Sequence, residues 1–267
     1  MNRILSRRVL LGGVFAAAAL VLAANAAPGP SAPASGKAEN AGTAAVSATG
    51  AKDQEKIKTL LADKKTPRTW LFTGDSITHG ALWTAGWRSF PEIFAERMRW
   101  ELHRMSDIVV NTGISGNKVT DILGAYDWRV RRFKPDVVLI LIGMNDCTAV
   151  KDPAEFGKNL SKLVADVRAD GGIPVLQTPN TVAPGSREKA LPPFNEQIRK
   201  VAKEQDVILV DHYAFWESSA ANGRPPAKWL GNSIHPSGEG HRQMAVLIFK
   251  VLGIHDPKSA CENVKIN

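Results

Sequence analysis

Four short segments carry side chains able to act together on a carbonyl carbon. They read Gly74-Asp75-Ser76-Ile77-Thr78, Gly113-Ile114-Ser115-Gly116-Asn117, Gly143-Met144-Asn145-Asp146 and His235-Pro236. A hydroxyl becomes a useful nucleophile when a base lies within hydrogen-bond reach and fixed donors face the charge that develops on the carbonyl oxygen. Ser76 supplies the hydroxyl, and its own N–H is available at a strand-to-helix turn. His235 is the natural base, because imidazole titrates near neutrality and can take a proton and return it. Gly116 offers a second N–H with no Cβ in the way, and Asn145 offers an amide donor without the desolvation cost of a charge. Each signal alone is weak, since a Ser after Gly-Asp is usually a helix cap and a Gly-x-x-Asp is usually a turn. Their order, and their placement after strands, carries the reading.

The elements that must position them follow from hydrophobic patterning. Five short apolar runs rich in β-branched residues, at 69–73, 108–111, 136–142, 173–178 and 207–211, predict buried strands. Amphipathic stretches of helical length lie between them at 87–105, 118–133, 153–170 and 187–205, with an earlier helix at 53–64 and a last one at 238–252. Strand and helix alternate throughout, which predicts an α/β fold with a parallel sheet and helical crossovers. In open sheets of this kind ligands bind beyond the carboxyl ends of the strands, the rim to which this topology would bring all four segments.

On these motifs the chain resembles the SGNH/GDSL hydrolases, which carry Ser in a Gly-Asp-Ser block, Gly in a second block, Asn in Gly-x-Asn-Asp and His in Asp-x-x-His-Pro. The resemblance covers residues 70–252. It implies a three-layer α/β/α flavodoxin-like sandwich around a central parallel five-stranded sheet, with no cofactor and no metal. It also implies Ser76 as nucleophile, Gly116 and Asn145 joining the Ser76 N–H in the oxyanion hole, and His235 as general acid/base. One position departs from the pattern: Asn232 stands where the family has an Asp, three residues before His235. A neutral amide orients the imidazole but lends no charge to the imidazolium. The expectation is a Ser–His centre oriented by Asn232 or by main chain, with Asp211, at a strand end, as the nearest surrogate acid. Asp75, Asp146 and Glu239 are expected to cap helices or tie loops.

The loop after the nucleophile, His79 to Arg88, carries Trp83 and Trp87, either of which can wall the acyl site or stack on a sugar ring; ordinary packing is the competing reading for Trp87. Trp229 and Met144 are further candidates for the rim. The substrate expected is a carboxylic ester with a short acyl group such as acetyl, including acylated glycans. Alternatives are a lipid-acyl esterase, lysophospholipase or thioesterase of the same family, a carbohydrate-binding protein that has lost catalysis, and a metallophosphoesterase using His235 and His241. The last lacks an Asp-x-His block and enough strand-end ligands for two metals. No Gly-rich phosphate loop supports nucleotide binding.

The chain has 267 residues. Arg7 and Arg8 precede an uncharged apolar run at 9–24, and Ala24-Asn25-Ala26 follows, which together read as a Tat-type export signal spanning 1–26. An uncleaved N-terminal anchor is the alternative, against which the run counts by being short for a permanent membrane span. Residues 27–50 are mostly Ala, Pro, Gly and Ser, too poor in large apolar side chains to bury a core, and read as a disordered linker before a hydrolase domain at 51–267. Removing the signal takes Arg3, Arg7 and Arg8 and no acid, lowering the formal charge from +8 to +5. The remaining basic residues are dispersed, and Arg129, Arg131 and Arg132 read as a solvated helix face rather than a nucleic-acid surface. Cys147 and Cys261 are either a disulfide, formed after export, or two buried thiols.

Overall fold

A computed structural model describes residues 49–80, 82–221 and 226–266. The expected export signal, residues 1–26, and nearly all of the expected linker, residues 27–50, lie outside them. Of the linker, Thr49 and Gly50 are described. Thr49 Oγ1 donates to the Val207 carbonyl at 2.7 Å, and the Gly50 N–H donates to Asp206 Oδ1 at 2.7 Å. Among the described residues no helix is long and apolar enough to cross a membrane.

All five predicted strands form: β1 Thr69–Gly74, β2 Ile108–Asn111, β3 Val137–Leu141, β4 Ile173–Gln177 and β5 Ile208–Val210. They pair in parallel in the order β2-β1-β3-β4-β5. The direction of winding reverses between β1 and β3, so the loops leaving those two strands diverge and open a crevice. Ser76 follows β1 and Asn145 follows β3. β3 and β4 are buried along their whole length, as a sheet covered on both faces requires.

The helices are α1 Ala51–Ala62, α2 Ser76–His79, α3 Phe90–Glu96, α4 Val119–Gly124, α5 Tyr126–Arg129, α6 Asp146–Ala149, α7 Pro153–Ala169, α8 Pro192–Glu204, α9 His212–Ala221 and α10 Gly238–Val251. α3 packs with α10 in one layer, and α7 packs with α4 and α8 in the other. Under α3, Phe72 meets Phe94 at 5.1 Å and Phe90 at 5.6 Å in edge-to-face contacts, the arrangement aromatic quadrupoles favour.

Three predicted helices are shorter than their apolar period suggested. The stretch 87–105 starts only at Phe90, where Glu92 accepts the Ser89 N–H at 2.7 Å, and it ends in a π turn at Arg97–Glu101. The stretch 118–133 breaks at Ala125 into α4, α5 and a 3-10 turn at Arg131–Phe133. The stretch 187–205 is helical only from Pro192, which leaves Arg187 in a loop that faces the crevice. α9 was not read from the sequence at all, because its apolar residues follow no clean helical period.

The two cysteines are buried and free. The Cys147 thiol donates to the Met144 carbonyl at 3.2 Å, whereas Cys261 lies in the C-terminal tail, where its N–H donates to Glu101. The two-thiol alternative therefore holds, and burial pushes the thiols up, to about 11 for Cys147 and about 12 for Cys261.

Candidate active site

Ser76 opens α2 directly after β1, and Asp75 caps the turn by accepting the Ile77 N–H at 2.9 Å. The first N–H groups of a helix are not used by its own ladder, so that of Ser76 is free to face a ligand. Gly74 is required by close approach, since a Cβ there would stand 2.2 Å from the Leu141 carbonyl and 2.3 Å from Thr78 Oγ1. This lets the serine turn pack against the end of β3. Gly116 has φ +84 and open space where a side chain would stand. Its requirement is thus conformational rather than steric, because L side chains rarely adopt that backbone region.

Ser76 Oγ lies 2.8 Å from His235 Nε2. The two line a cavity of about 380 Å³ with His79, Leu82, Trp83, Ser115, Gly116 and Asn145. Four of the sequence-predicted groups, Ser76, Gly116, Asn145 and His235, are therefore brought together. Asn145 is held from both sides: its Nδ2 donates to the Asn117 carbonyl at 3.0 Å and its Oδ1 accepts from Arg187 Nη1 at 3.0 Å. That pattern sets the amide orientation and leaves the second Nδ2 hydrogen uncommitted.

Asn232 meets His235 as expected. Its Oδ1 accepts the N–H groups of Ile234 and His235, both at 2.8 Å, and lies 3.2 Å from His235 Nδ1; its Nδ2 lies 3.1 Å from the same nitrogen. The two backbone donors fix which end is oxygen. If Nδ1 donates to Oδ1, the Nε2 lone pair faces Ser76, as a base requires. If Nδ2 donates to Nδ1, the proton moves to Nε2 and the base is lost. An Asn thus tolerates both tautomers, whereas a carboxylate accepts only the first. Burial and the Arg187 charge push His235 down to about 4.

A prediction follows. Asn232→Asp raises kcat/KM at neutral pH by about tenfold, since it removes the unproductive tautomer and lends charge to the imidazolium. The acid limb of kcat/KM, set by His235 at about 4 in the wild type, moves upward because a neighbouring carboxylate favours the protonated ring. A pH–rate profile checks both, and a collapse to background activity would sink the idea.

Asp211 is not a surrogate acid. It accepts from Arg199 Nε at 2.7 Å, Thr178 Oγ1 at 3.1 Å and the Ala214 N–H at 3.0 Å, so its lone pairs are committed away from His235. Nor do His235 and His241 make a pair. His241 is buried, accepts the Phe90 N–H at 3.3 Å and stacks on Phe90.

Trp83 and Trp87 part company. Trp83 lines the cavity and stacks on the His235 ring, centroids 4.5 Å apart and planes 13° from parallel. Trp87 faces a separate cavity of about 450 Å³ beside the C-terminal tail, with Cys261 and Ile266. Trp229 leaves the rim too, buried against Trp216 at 5.2 Å. Met144 lies buried beneath Asn145.

Two site-building residues escaped the sequence. Arg129 is no solvated residue: fully buried, it donates to the carbonyls of Gly74 (3.0 Å) and Thr112 (2.7 Å) and to Asn117 Oδ1 (2.6 Å). It ties the ends of β1 and β2 to the segment that carries Gly116. Arg187 holds Asn145 and the Met144 carbonyl. Nothing in the local sequence distinguishes either from the arginines that stay at the surface.

Asp75 and Asp146 tie loops, as expected, Asp146 by accepting the Val119 N–H at 3.0 Å. Both are buried, with Oδ2 atoms that find no partner among the described residues. Burial, reinforced by Asp146, pushes Asp75 up from 3.8 to about 7. Folded Asp75 therefore keeps a proton that the unfolded chain releases. The stability it contributes is present at acid pH and lost as pH rises toward 7. Asp75→Asn, which can still accept the Ile77 N–H, flattens this dependence and raises Tm above pH 7. Thermal melts on both sides of the window check it, and a Tm below wild type at alkaline pH counts against it.

A parallel α/β/α sandwich whose strand-end loops gather a serine, a histidine and amide donors at one cavity is the architecture of an ester-cleaving serine hydrolase. Residues 72–243, more than half of the chain, match the model of the GDSL-like Lipase/Acylhydrolase family, and the chain belongs to that family. It is 26% identical over 204 residues to an acetylxylan esterase of Geobacillus stearothermophilus, covering 68% of this chain and 93% of that protein. A solved structure of a mutant acetyl-xylooligosaccharide esterase from that organism superposes with TM-score 0.60 at 25% identity, covering 70% of this chain and 94% of the other. An arylesterase of Vibrio mimicus is 25% identical over 197 residues, covering 73% and 94%. An uncharacterized Mycoplasma pneumoniae protein is 27% identical over 157 residues, where the match covers 55% of this chain and 18% of that longer protein.

Proposed function

We propose that the chain is a serine esterase that removes short acyl groups, acetyl foremost, from esters that include acylated carbohydrates outside the cytoplasm. The observation that carries this reading is the 2.8 Å contact between Ser76 Oγ and His235 Nε2 in a cavity shared with Gly116 and Asn145. Ser76 Oγ attacks the carbonyl carbon while its proton passes to Nε2. The carbonyl electron pair moves onto oxygen, which the N–H groups of Ser76 and Gly116 and the free Nδ2 hydrogen of Asn145 receive. The tetrahedral adduct collapses as the C–O bond to the alcohol breaks, and Nε2 returns its proton to that oxygen. Water repeats the sequence on the acyl-serine and releases the acid.

The preference for a short acyl group rests on the small cavity, lined in part by Trp83, and on the acetylxylan esterase among the relatives. The exposed face of Trp83 is available to a sugar ring. Export rests on the twin-arginine stretch and apolar run of residues 1–26. The test is hydrolysis of p-nitrophenyl acetate, butyrate and octanoate and of acetylated xylan, with a chelator present and beside Ser76→Ala. Chelator-resistant cleavage that is fastest on acetate and lost in the variant is expected. Preference for octanoate would replace the short-acyl reading by a lipid-acyl one. Inertness on every ester would overturn catalysis in favour of binding.

A further inference from the structure

General-base catalysis by His235 creates an imidazolium, and the surroundings of that ring are hostile to charge. His235 is half-buried. The charged group that acts on it is Arg187, which opposes a second positive charge nearby; the buried His241, itself held neutral by burial, brings no charge to offset it. Among the described residues no carboxylate hydrogen-bonds the ring: its partners are Ser76 on Nε2 and the neutral amide of Asn232 on Nδ1. What does cover it is Trp83, stacked nearly parallel with centroids 4.5 Å apart. The face of an indole is the negative part of its quadrupole and attracts a cation within about 6 Å of the ring centroid.

We propose that the indole face of Trp83 supports the positive charge of the His235 imidazolium in the transition state, supplying the electrostatic help that neutral Asn232 does not. Trp83 acts through His235 and is a positioning residue rather than a group that touches the reacting carbonyl. The division of labour is between direction and charge. Asn232 Oδ1, anchored by two backbone donors, holds the ring plane and receives the Nδ1 proton, while Trp83 lowers the cost of the charge. The Trp83 carbonyl lies so close to Gly231 that a Cβ there would stand 2.7 Å from it. The histidine loop and the tryptophan loop are thereby pressed together.

The inference rests on the proposed esterase activity, and a double-mutant cycle tests it. The proteins are wild type, Trp83→Leu, Asn232→Asp and the double variant, with Trp83→Phe as the conservative replacement. Leu and Phe both cover the ring, but only Phe keeps a π face. Trp83→Leu is expected to lower kcat on p-nitrophenyl acetate by about tenfold with little change in KM. In the Asn232→Asp background, where a carboxylate carries the charge, the same change should cost no more than about threefold. Trp83→Phe should stay within about threefold of wild type. Equal losses in both backgrounds, or a loss confined to KM, would overturn the inference and leave Trp83 as a substrate wall. A second measurement does not need turnover. In an NMR titration, His235 should protonate at lower pH in Trp83→Leu than in Trp83→Phe, and equal or reversed values also overturn it. If wild type cleaves no ester, the esterase reading fails while the titration still decides the charge-supporting role.

Discussion

Ser76→Ala lowers kcat on p-nitrophenyl acetate by about 10⁴-fold or more, with KM nearly unchanged. The size follows from the chemistry: the variant loses the atom that forms the acyl intermediate, and what remains is water attack assisted by the oxyanion donors. Those donors sit on backbone and on Asn145, whose hydrogen bonds to Asn117 and Arg187 do not involve the serine. Substrate binding is therefore kept while covalent catalysis is lost. The fold should tolerate the change, because Ser76 keeps its place through the Asp75 cap on Ile77 and the carbonyl of Ser76 accepting the Gly80 N–H, neither of which uses the hydroxyl. Steady-state kinetics beside a thermal melt check both parts. A variant within tenfold of wild type and as stable would show that Ser76 is not the nucleophile.

The second large effect is expected at Asn145. Asn145→Ala removes one oxyanion donor and lowers kcat by about 10²- to 10³-fold, the range found when a single such donor is deleted. The loss should appear in kcat rather than KM, since the donor meets full negative charge only in the transition state. The Arg187 contact sharpens the expectation. It accounts for the amide orientation by giving Oδ1 a charged donor at 3.0 Å, while Asn117 holds one Nδ2 hydrogen at 3.0 Å. Asn145→Asp should be worse than alanine, since it places an acceptor where the oxyanion forms. An aspartate variant more active than the alanine one would mean that Asn145 does not face the developing charge.

The two variants also separate the parts of the mechanism. If Ser76→Ala is inert and Asn145→Ala is not impaired, the backbone donors of Ser76 and Gly116 suffice, and Asn145 serves to hold the loop through Asn117. If both are impaired as expected, the Asn232→Asp and Trp83 variants then read how the histidine charge is supported.

Much of this was legible in the residues themselves. Strand positions were visible because a strand covered on both faces must be apolar throughout, as in Val137–Leu141, and that requirement is local. The candidate groups were visible because Ser76, Gly116 and Asn145 lie within a few residues of a strand end and His235 keeps its His-Pro motif just before the last helix. Helix boundaries were less so: the start of α3 rests on the local Ser89–Glu92 capping box, which the apolar period overran, whereas the break at Ala125 depends on where the chain must turn to meet its neighbours.

Sequence by itself determined the alternating parallel α/β architecture, since periodicity and turn chemistry are properties of short stretches, and its motifs put forward the set Ser76, Gly116, Asn145, Asn232 and His235. Tertiary structure alone decided the rest. It sent Arg129 into the core and Arg187 to Asn145, committed Asp211 to Arg199, kept the cysteines apart, laid Trp83 on His235 and turned Trp87 away. The physical reason is that a long side chain's partner is chosen by whichever groups the packed layers leave unsatisfied, and those groups come from distant parts of the chain.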